Sequence, residues 1–137
     1  MSDAQLDLRI PIDGEDSIIA ARQRARQLAQ SLGFGALDQS RIATAVSELA
    51  RNVVRYATDG KGEALIRPLP EGKGGLEVVV SDAGPGIADV GQALGDGFTS
   101  GRGLGMGLPG TRRLMDEMEI DSGPGRGTIV TIRKWRR

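Results

Sequence analysis

The chain of 137 residues contains no cysteine and no histidine. The first absence excludes disulfides, thiolate metal sites and cysteine nucleophiles. The second removes imidazole metal ligands, histidine-based triads and a phosphohistidine of the chain's own. Any general base must therefore be a carboxylate, a lysine or a tyrosine. Net charge is missing too, because 18 Lys plus Arg balance 18 Asp plus Glu. A general nucleic-acid binder needs a basic face, so no nucleic-acid partner is expected. The one basic run is Arg133, Lys134, Arg136 and Arg137 around Trp135. It reads as a solvated chain end, with docking to a partner as the alternative. No apolar stretch reaches the roughly 18 residues of a membrane span. The start, Met1-Ser2-Asp3-Ala4-Gln5, lacks a signal-peptide pattern. The expectation is a reducing, cytoplasmic location and no membrane partner.

What is present looks globular. Hydrophobic residues make up 39% and charged residues 26%, which suits one domain over residues 1–137 with a single core. The unusual number is 21 glycines, thirteen of them between Gly84 and Gly127. The densest group is Gly101, Gly103, Gly105, Gly107 and Gly110. Such clustering marks local backbone demands rather than general flexibility.

Along the chain, Leu6, Leu8, Ile10 and Ile12 alternate with Asp7, Arg9 and Pro11, which predicts an edge strand over 6–12. Asp13 or Asp16 is placed to cap a helix running to about Leu32, with Ile18, Ile19, Ala21, Ala25, Leu28, Ala29 and Leu32 as its apolar stripe. Gly33-Phe34-Gly35 stops it. Asp38 or Ser40 starts a second helix to about Ala57, with Ile42, Val46, Leu49 and Val53 inward. Residues 63–69 and 76–81 read as a hairpin. Residues 88–107 show no period and read as a mobile loop. A third helix is expected from about Leu108 to Met118, with Pro109 in its first turn. Ile120 to Ser122 and Thr128 to Arg133 are the last strand candidates. The order β-α-α-β-β-α-β-β fits an α+β two-layer sandwich, with helices on one face of a mostly antiparallel sheet.

Three constellations carry chemistry. Glu48 and Asn52 lie four apart on the second helix and share a face. Asn52 offers a hard carbonyl oxygen suited to Mg²⁺, and Glu48 a carboxylate that can orient or deprotonate a hydroxyl. By itself the pair reads first as the solvated polar edge of an amphipathic helix. Asp82 ends an apolar strand ahead of Gly84 and Gly86. There a carboxylate needs donors such as an adenine amine, and the glycines let backbone pass close to a flat ring. Turn chemistry alone also explains that segment. The run Gly101-Arg102-Gly103-Leu104-Gly105-Met106-Gly107 precedes the helix at Leu108. Its bare N–H groups and the helix N-terminus suit phosphate oxygens, and Arg102 has the reach to join them. The GxGxxG match at Gly105 to Gly110 lacks a preceding strand, no P-loop Gly-Lys-Ser/Thr exists, and no His-Arg-Asp catalytic loop is present.

Taken in order, Glu48-x-x-x-Asn52, Asp82-x-Gly84-x-Gly86, Gly103-Leu104-Gly105-x-Gly107 and Gly127-Thr128 resemble the N, G1, G2 and G3 boxes of GHKL (Bergerat-fold) ATPases. Phe34-Gly35, Ser47-Glu48-Leu49-Ala50-Arg51-Asn52, Asp82-x-Gly84-Pro85-Gly86-Ile87, Asp96-Gly97-Phe98, Gly107-Leu108-Pro109-Gly110 and Arg113-Leu114-Met115-Asp116-Glu117 narrow the likeness. They resemble the RsbT-type switch kinases, which are short anti-sigma-like serine/threonine kinases of bacterial stress-signalling complexes of stressosome type. The resemblance implies ATP and Mg²⁺ as cofactors, with Asn52 holding the metal, Glu48 as catalytic carboxylate and Asp82 on the adenine. Gly84, Gly86 and Ile87 would line its pocket, and Thr128 would sit near the base. Arg102, Gly103, Leu104, Gly105, Met106, Gly107 and Leu108 would surround the phosphates. It implies a STAS-domain antagonist protein as substrate, and a PP2C-type phosphatase or a sigma factor as a further partner. The alternative is a nucleotide-gated binding module with little catalysis. Several GHKL relatives carry histidine near the end of the N-box helix, where this chain has Tyr56-Ala57.

Overall fold

The computed structural model describes residues 7–57, 59–84, 108–123, 125 and 127–137. Strand β1 covers Leu8–Ile12 and turns Ile10 and Ile12 into the core. Helix α1 follows over Glu15–Ser31. Its cap differs from the expected aspartates. Gly14 holds the cap position, and the Ser17 hydroxyl reaches back, accepting the N–H groups of Asp13 at 2.9 Å and Gly14 at 3.1 Å. The same hydroxyl donates to Gly14 O at 2.8 Å. Glu15 and Asp16 instead complement the helix dipole from the first turn. Ile18, Ala21, Ala25, Leu28 and Ala29 form the buried stripe. Ile19, expected within it, is 38% exposed, and Leu32 only packs against the core from its edge.

Helix α2 covers Ala36–Tyr56 and starts two residues before the expected Asp38. Its entry is tied by the Gln39 side-chain amide, which donates to Phe34 O at 2.8 Å, and by Gln39 N donating to Gly35 O. Asp38 therefore sits inside the first turn and pairs with Arg41 at 2.9 Å. Ile42, Val46, Leu49 and Val53 face inward as their 4-3-4 spacing predicts. Full burial of each such side chain contributes about 1.5–3 kcal/mol.

The remaining elements are β2 (Gly62–Leu69), β3 (Gly75–Asp82), α3 (Leu108–Leu114), β4 (Glu117–Ser122) and β5 (Thr128–Trp135). The sheet order is β1-β2-β3-β5-β4, and every described pairing is antiparallel. This is the α+β two-layer arrangement, with Ala64, Ile66, Leu76, Val78, Val80, Val130 and Ile132 buried in one core with the helices. The glycine-rich loop before α3, expected as an ATP lid, lies outside the described residues.

Two boundaries correct the sequence reading. The third helix, expected to reach Met118, ends at Leu114. Its last carbonyl accepts from Lys134 Nζ at 2.9 Å, and Asp116 N donates to Arg133 O at 3.0 Å, so the chain is already in the sheet when β4 begins at Glu117. The basic tail is a solvated end only at Arg136 and Arg137, which are exposed. Strand β5 runs through Arg133 and Lys134 to Trp135, and Lys134 is 8% exposed. On the opposite face of the sheet, Arg67, Glu77, Arg133 and Glu117 occupy one register row. They alternate in charge, with contacts of 2.7, 2.7 and 3.0 Å.

Candidate functional site

The period of two that buries Val78 and Val80 carries Asp82 onto the same helix-facing side of the sheet. The same alternation turns Thr128 and Ser122 that way, in step with Val130 and Ile120. Register then aligns them, because Gly62 pairs with Asp82, Asp82 with Thr128, and Thr128 with Ser122. One row across four strands thus ends the core with a carboxylate and two hydroxyls.

Asp82 is half-buried, and loss of solvent pushes its pKa above the ordinary carboxylate value. Backbone N–H groups of Gly84 and Thr128 act against that rise, and the charge of Asp59 adds to it. The Gly84 bond to Oδ1 is 2.7 Å. Each carboxylate oxygen can accept more than one donor, so a poorly hydrated Asp82 retains capacity for a ligand amine.

Glycines bring three backbones together here. A Cβ on Gly84 would lie 2.8 Å from Ala57 Cα and 2.9 Å from Tyr56 O. A Cβ on Gly62 would lie 2.8 Å from Val53 Cγ1. On Gly127, at φ 79°, it would lie 2.3 Å from Asp82 O. The bare backbone at these points lets the C-terminal end of α2, the end of β3 and the turn before β5 meet around Asp82.

Helix α2 then supplies the polar side chains. Glu48, Asn52 and Tyr56 follow at four-residue spacing, about 6 Å per step along the axis. Asn52 is half-buried, one turn before the Tyr56–Gly84 contact. Glu48 lies a further turn away, and its Oε2 accepts from Arg51 Nη1 at 2.8 Å. Both side chains of that pair are about one-third exposed, at 38% and 34%. Glu48 is therefore held at the surface in reach of an incoming macromolecule.

Of the expected site residues, the structure brings together Asp82, Gly84 and Thr128, and lines up Asn52 and Glu48 on α2 leading away from them. Leu108 is 2% exposed within the core, so any ligand contact from it would come from its backbone. Gly86, Ile87, Arg102, Gly103, Leu104, Gly105, Met106 and Gly107 lie outside the described residues. Three participants were missed by sequence reasoning: Ser122, Gly62 and Asp59. Ser122 was detectable as a hydroxyl at a core-facing position, two residues after Ile120. Gly62 and Asp59 had only turn chemistry to mark them. Among the described residues no group of three Asp or Glu gathers as a metal cage.

Comparison with known proteins follows the same lines. Residues 13–134 match the family model described as a histidine kinase-like ATPase domain. The chain is 50% identical over 124 residues to serine/threonine-protein kinase RsbT of Bacillus subtilis, covering 90% of this chain and 92% of that protein. It is 38% identical over 99 residues to the anti-sigma F factor of Caldanaerobacter subterraneus, covering 69% of this chain and 68% of that one. Among solved structures, the RsbU and RsbW domains of a Mycobacterium tuberculosis protein superpose with a TM-score of 0.63 at 24% identity. That match covers 93% of this chain and 32% of the other, so the chain spans about a third of that protein's length. The mycobacterial sensor histidine kinase MprB superposes with a TM-score of 0.57 at 21% identity, covering 93% and 97% of the two chains. These two likenesses concern the fold.

Proposed function

The chain belongs to the histidine kinase-like ATPase domain family, and from that membership we propose that it is an ATP-dependent protein serine/threonine kinase. The observation that carries the reading is the Asp82 corner: a poorly hydrated acceptor enclosed by glycine backbone. A ligand bearing an exocyclic amine would supply the donor that this half-buried carboxylate lacks. The 50% identity to a protein named as a serine/threonine kinase supports the activity.

Bound Mg·ATP supplies the transferable phosphoryl group together with the metal's neutralisation of phosphate charge. The chain's residues do the rest. Asp82 accepts from the base amine, and Gly84 and Thr128 hold its carboxylate in place. Asn52 would hold the magnesium through its amide oxygen, a hard ligand of the kind that ion takes. Glu48 leaves Arg51 to hold and deprotonate the partner's hydroxyl, and its surface position suits a protein substrate. The family resemblance would assign Gly103, Gly105 and Gly107, with Arg102, Leu104, Met106 and Leu108, to the phosphates, and Gly86 and Ile87 to the base. The substrate class is a STAS-domain antagonist in a partner-switching pathway, with a PP2C-type phosphatase or sigma factor as further partner. The setting is cytoplasmic; among the described residues no helix is long and apolar enough to cross a membrane.

The test is incubation with labelled ATP, Mg²⁺ and a STAS-domain partner. Label should appear on a partner serine or threonine. Glu48→Gln should abolish transfer yet bind ATP as well as the parent. Absence of partner labelling by a protein that binds ATP would remove the kinase assignment. The second reading is a nucleotide-gated binding module, favoured by the likeness to anti-sigma F factors. It requires partner affinity to differ between ATP-bound, ADP-bound and free protein.

A further inference from the structure

We infer that Ser122 determines which purines the Asp82 corner accepts, by fixing the Thr128 hydroxyl as a hydrogen-bond acceptor. This rests on the nucleotide reading above and extends it to a residue outside the expected site.

The available hydroxyl protons set the direction of each bond. Ser122 Oγ lies 2.8 Å from Gly127 O and 2.9 Å from Thr128 Oγ1. Gly127 O is a carbonyl oxygen and can only accept. Ser122 has one hydroxyl proton, so satisfying that carbonyl consumes it. The contact between the two hydroxyls is then satisfied only if Thr128 donates to Ser122 Oγ. Thr128 also has one proton, now committed away from the site. What it retains towards a ligand is lone-pair capacity.

The position of Thr128 makes this consequential. It is the register partner of Asp82, and its backbone N–H reaches the Asp82 carboxylate. Ionised Asp82 is an acceptor as well. Two acceptors therefore stand side by side at the sheet end. A 6-amino group offers two N–H donors and satisfies both. A 6-oxo group sets its own lone pairs against both, and leaving buried acceptors unpaired is the costly outcome. The corner consequently selects a 6-aminopurine over a 6-oxopurine, and the selection is enforced from behind by a serine on β4. The relay begins at the Gly127 carbonyl, which accepts from Ser122 Oγ.

Removing the Ser122 hydroxyl frees the Thr128 proton to point into the site, where it can serve a carbonyl oxygen. The experiment measures ATP and ITP affinities by calorimetry for the parent, Ser122→Ala, Ser122→Thr and Thr128→Val, with thermal melting recorded for each. The parent should prefer ATP. In Ser122→Ala that preference should fall about tenfold, the effect of one well-made hydrogen bond, partly because ITP binds better. Ser122→Thr keeps the hydroxyl and should keep the preference, which a merely structural loss would not predict. Thr128→Val removes one of the two acceptors and should lower the preference too, so the outcome does not depend on Ser122→Ala folding well. Were Ser122→Ala or Thr128→Val to retain the parent's ATP-to-ITP ratio, the inference would be overturned while nucleotide binding stood. A folded parent that binds neither nucleotide would overturn both.

Discussion

Gly125 and Gly127 offer a matched pair for testing the corner. They lie two residues apart with nearly the same φ, 77° and 79°. Among the described residues a Cβ on Gly125 would meet nothing within 4 Å, whereas one on Gly127 would lie 2.3 Å from Asp82 O and 3.0 Å from Ala83 Cα. Alanine at either position incurs the left-handed penalty of roughly 1–2 kcal/mol. Only Gly127→Ala adds a collision, and both struck atoms are backbone, so no rotamer change relieves it. Overpacking of that kind costs about 1–3 kcal/mol. Gly125→Ala should therefore lose about 1–2 kcal/mol and Gly127→Ala roughly 2–5 kcal/mol. Urea denaturation with a common slope reads the difference directly. ATP titration adds the functional arm: Gly127→Ala shifts the end of β3 and should weaken binding at least tenfold, while Gly125→Ala should bind like the parent. Equal stability losses in the two variants would refute the close approach of the turn to Asp82.

Three further substitutions test other parts of the structure. Asp82→Asn should weaken ATP binding yet stabilise the free protein at neutral pH. The sign follows from the raised pKa: just above 3.8 the folded state holds more protons than the unfolded, so ionising Asp82 with rising pH lowers stability. In melts across that window the parent should gain stability on acidification relative to Asp82→Asn, and identical profiles would contradict the desolvation. Glu77, 4% exposed at its side chain between Arg67 and Arg133, should lose about 1–3 kcal/mol as Glu77→Gln. That loss should shrink in high salt, because two guanidiniums are left facing each other; a salt-independent loss would point to packing instead. Thr111 buries a hydroxyl that has no hydrogen-bond partner among the described residues. Thr111→Val should raise stability by about 1 kcal/mol in chemical denaturation, and a decrease would show that the hydroxyl is satisfied.

The elements were legible where periodicity was strong. Ile42, Val46, Leu49 and Val53 marked α2 because a helix of 21 residues, about six turns, must keep its apolar stripe on one side. Boundaries were less legible, since side chains remote in sequence decide them. The early end of α3 depends on Lys134, twenty residues further on and itself held in β5. The tail misled for the same reason: in composition Arg133 and Lys134 look solvated, but register gives Arg133 the partners Glu77 and Glu117 and buries Lys134 under α3. In the site, Asp82 and Gly84 announced themselves as a carboxylate and glycine at a strand end. Ser122 did not, because its meaning comes from strand pairing with Thr128, and pairing is not written in any local stretch.

Asp82 also shows why the corner calls for a functional explanation. Inward positions along β3 run Leu76, Val78, Val80 and then Asp82. An apolar residue at the fourth place would continue the core with no desolvation penalty. The carboxylate instead raises the free energy of the unliganded fold at neutral pH, and its two backbone donors only partly offset that. The surrounding glycines compound the expense, since Gly127 holds a conformation that other residues resist and Gly84 and Gly62 leave no side chain to pack. Structural needs do not require such a group at the meeting point of α2, β3 and β5. A ligand that donates to Asp82 would recover the deficit on binding, so stability should rise on adding ATP by more in the parent than in Asp82→Asn.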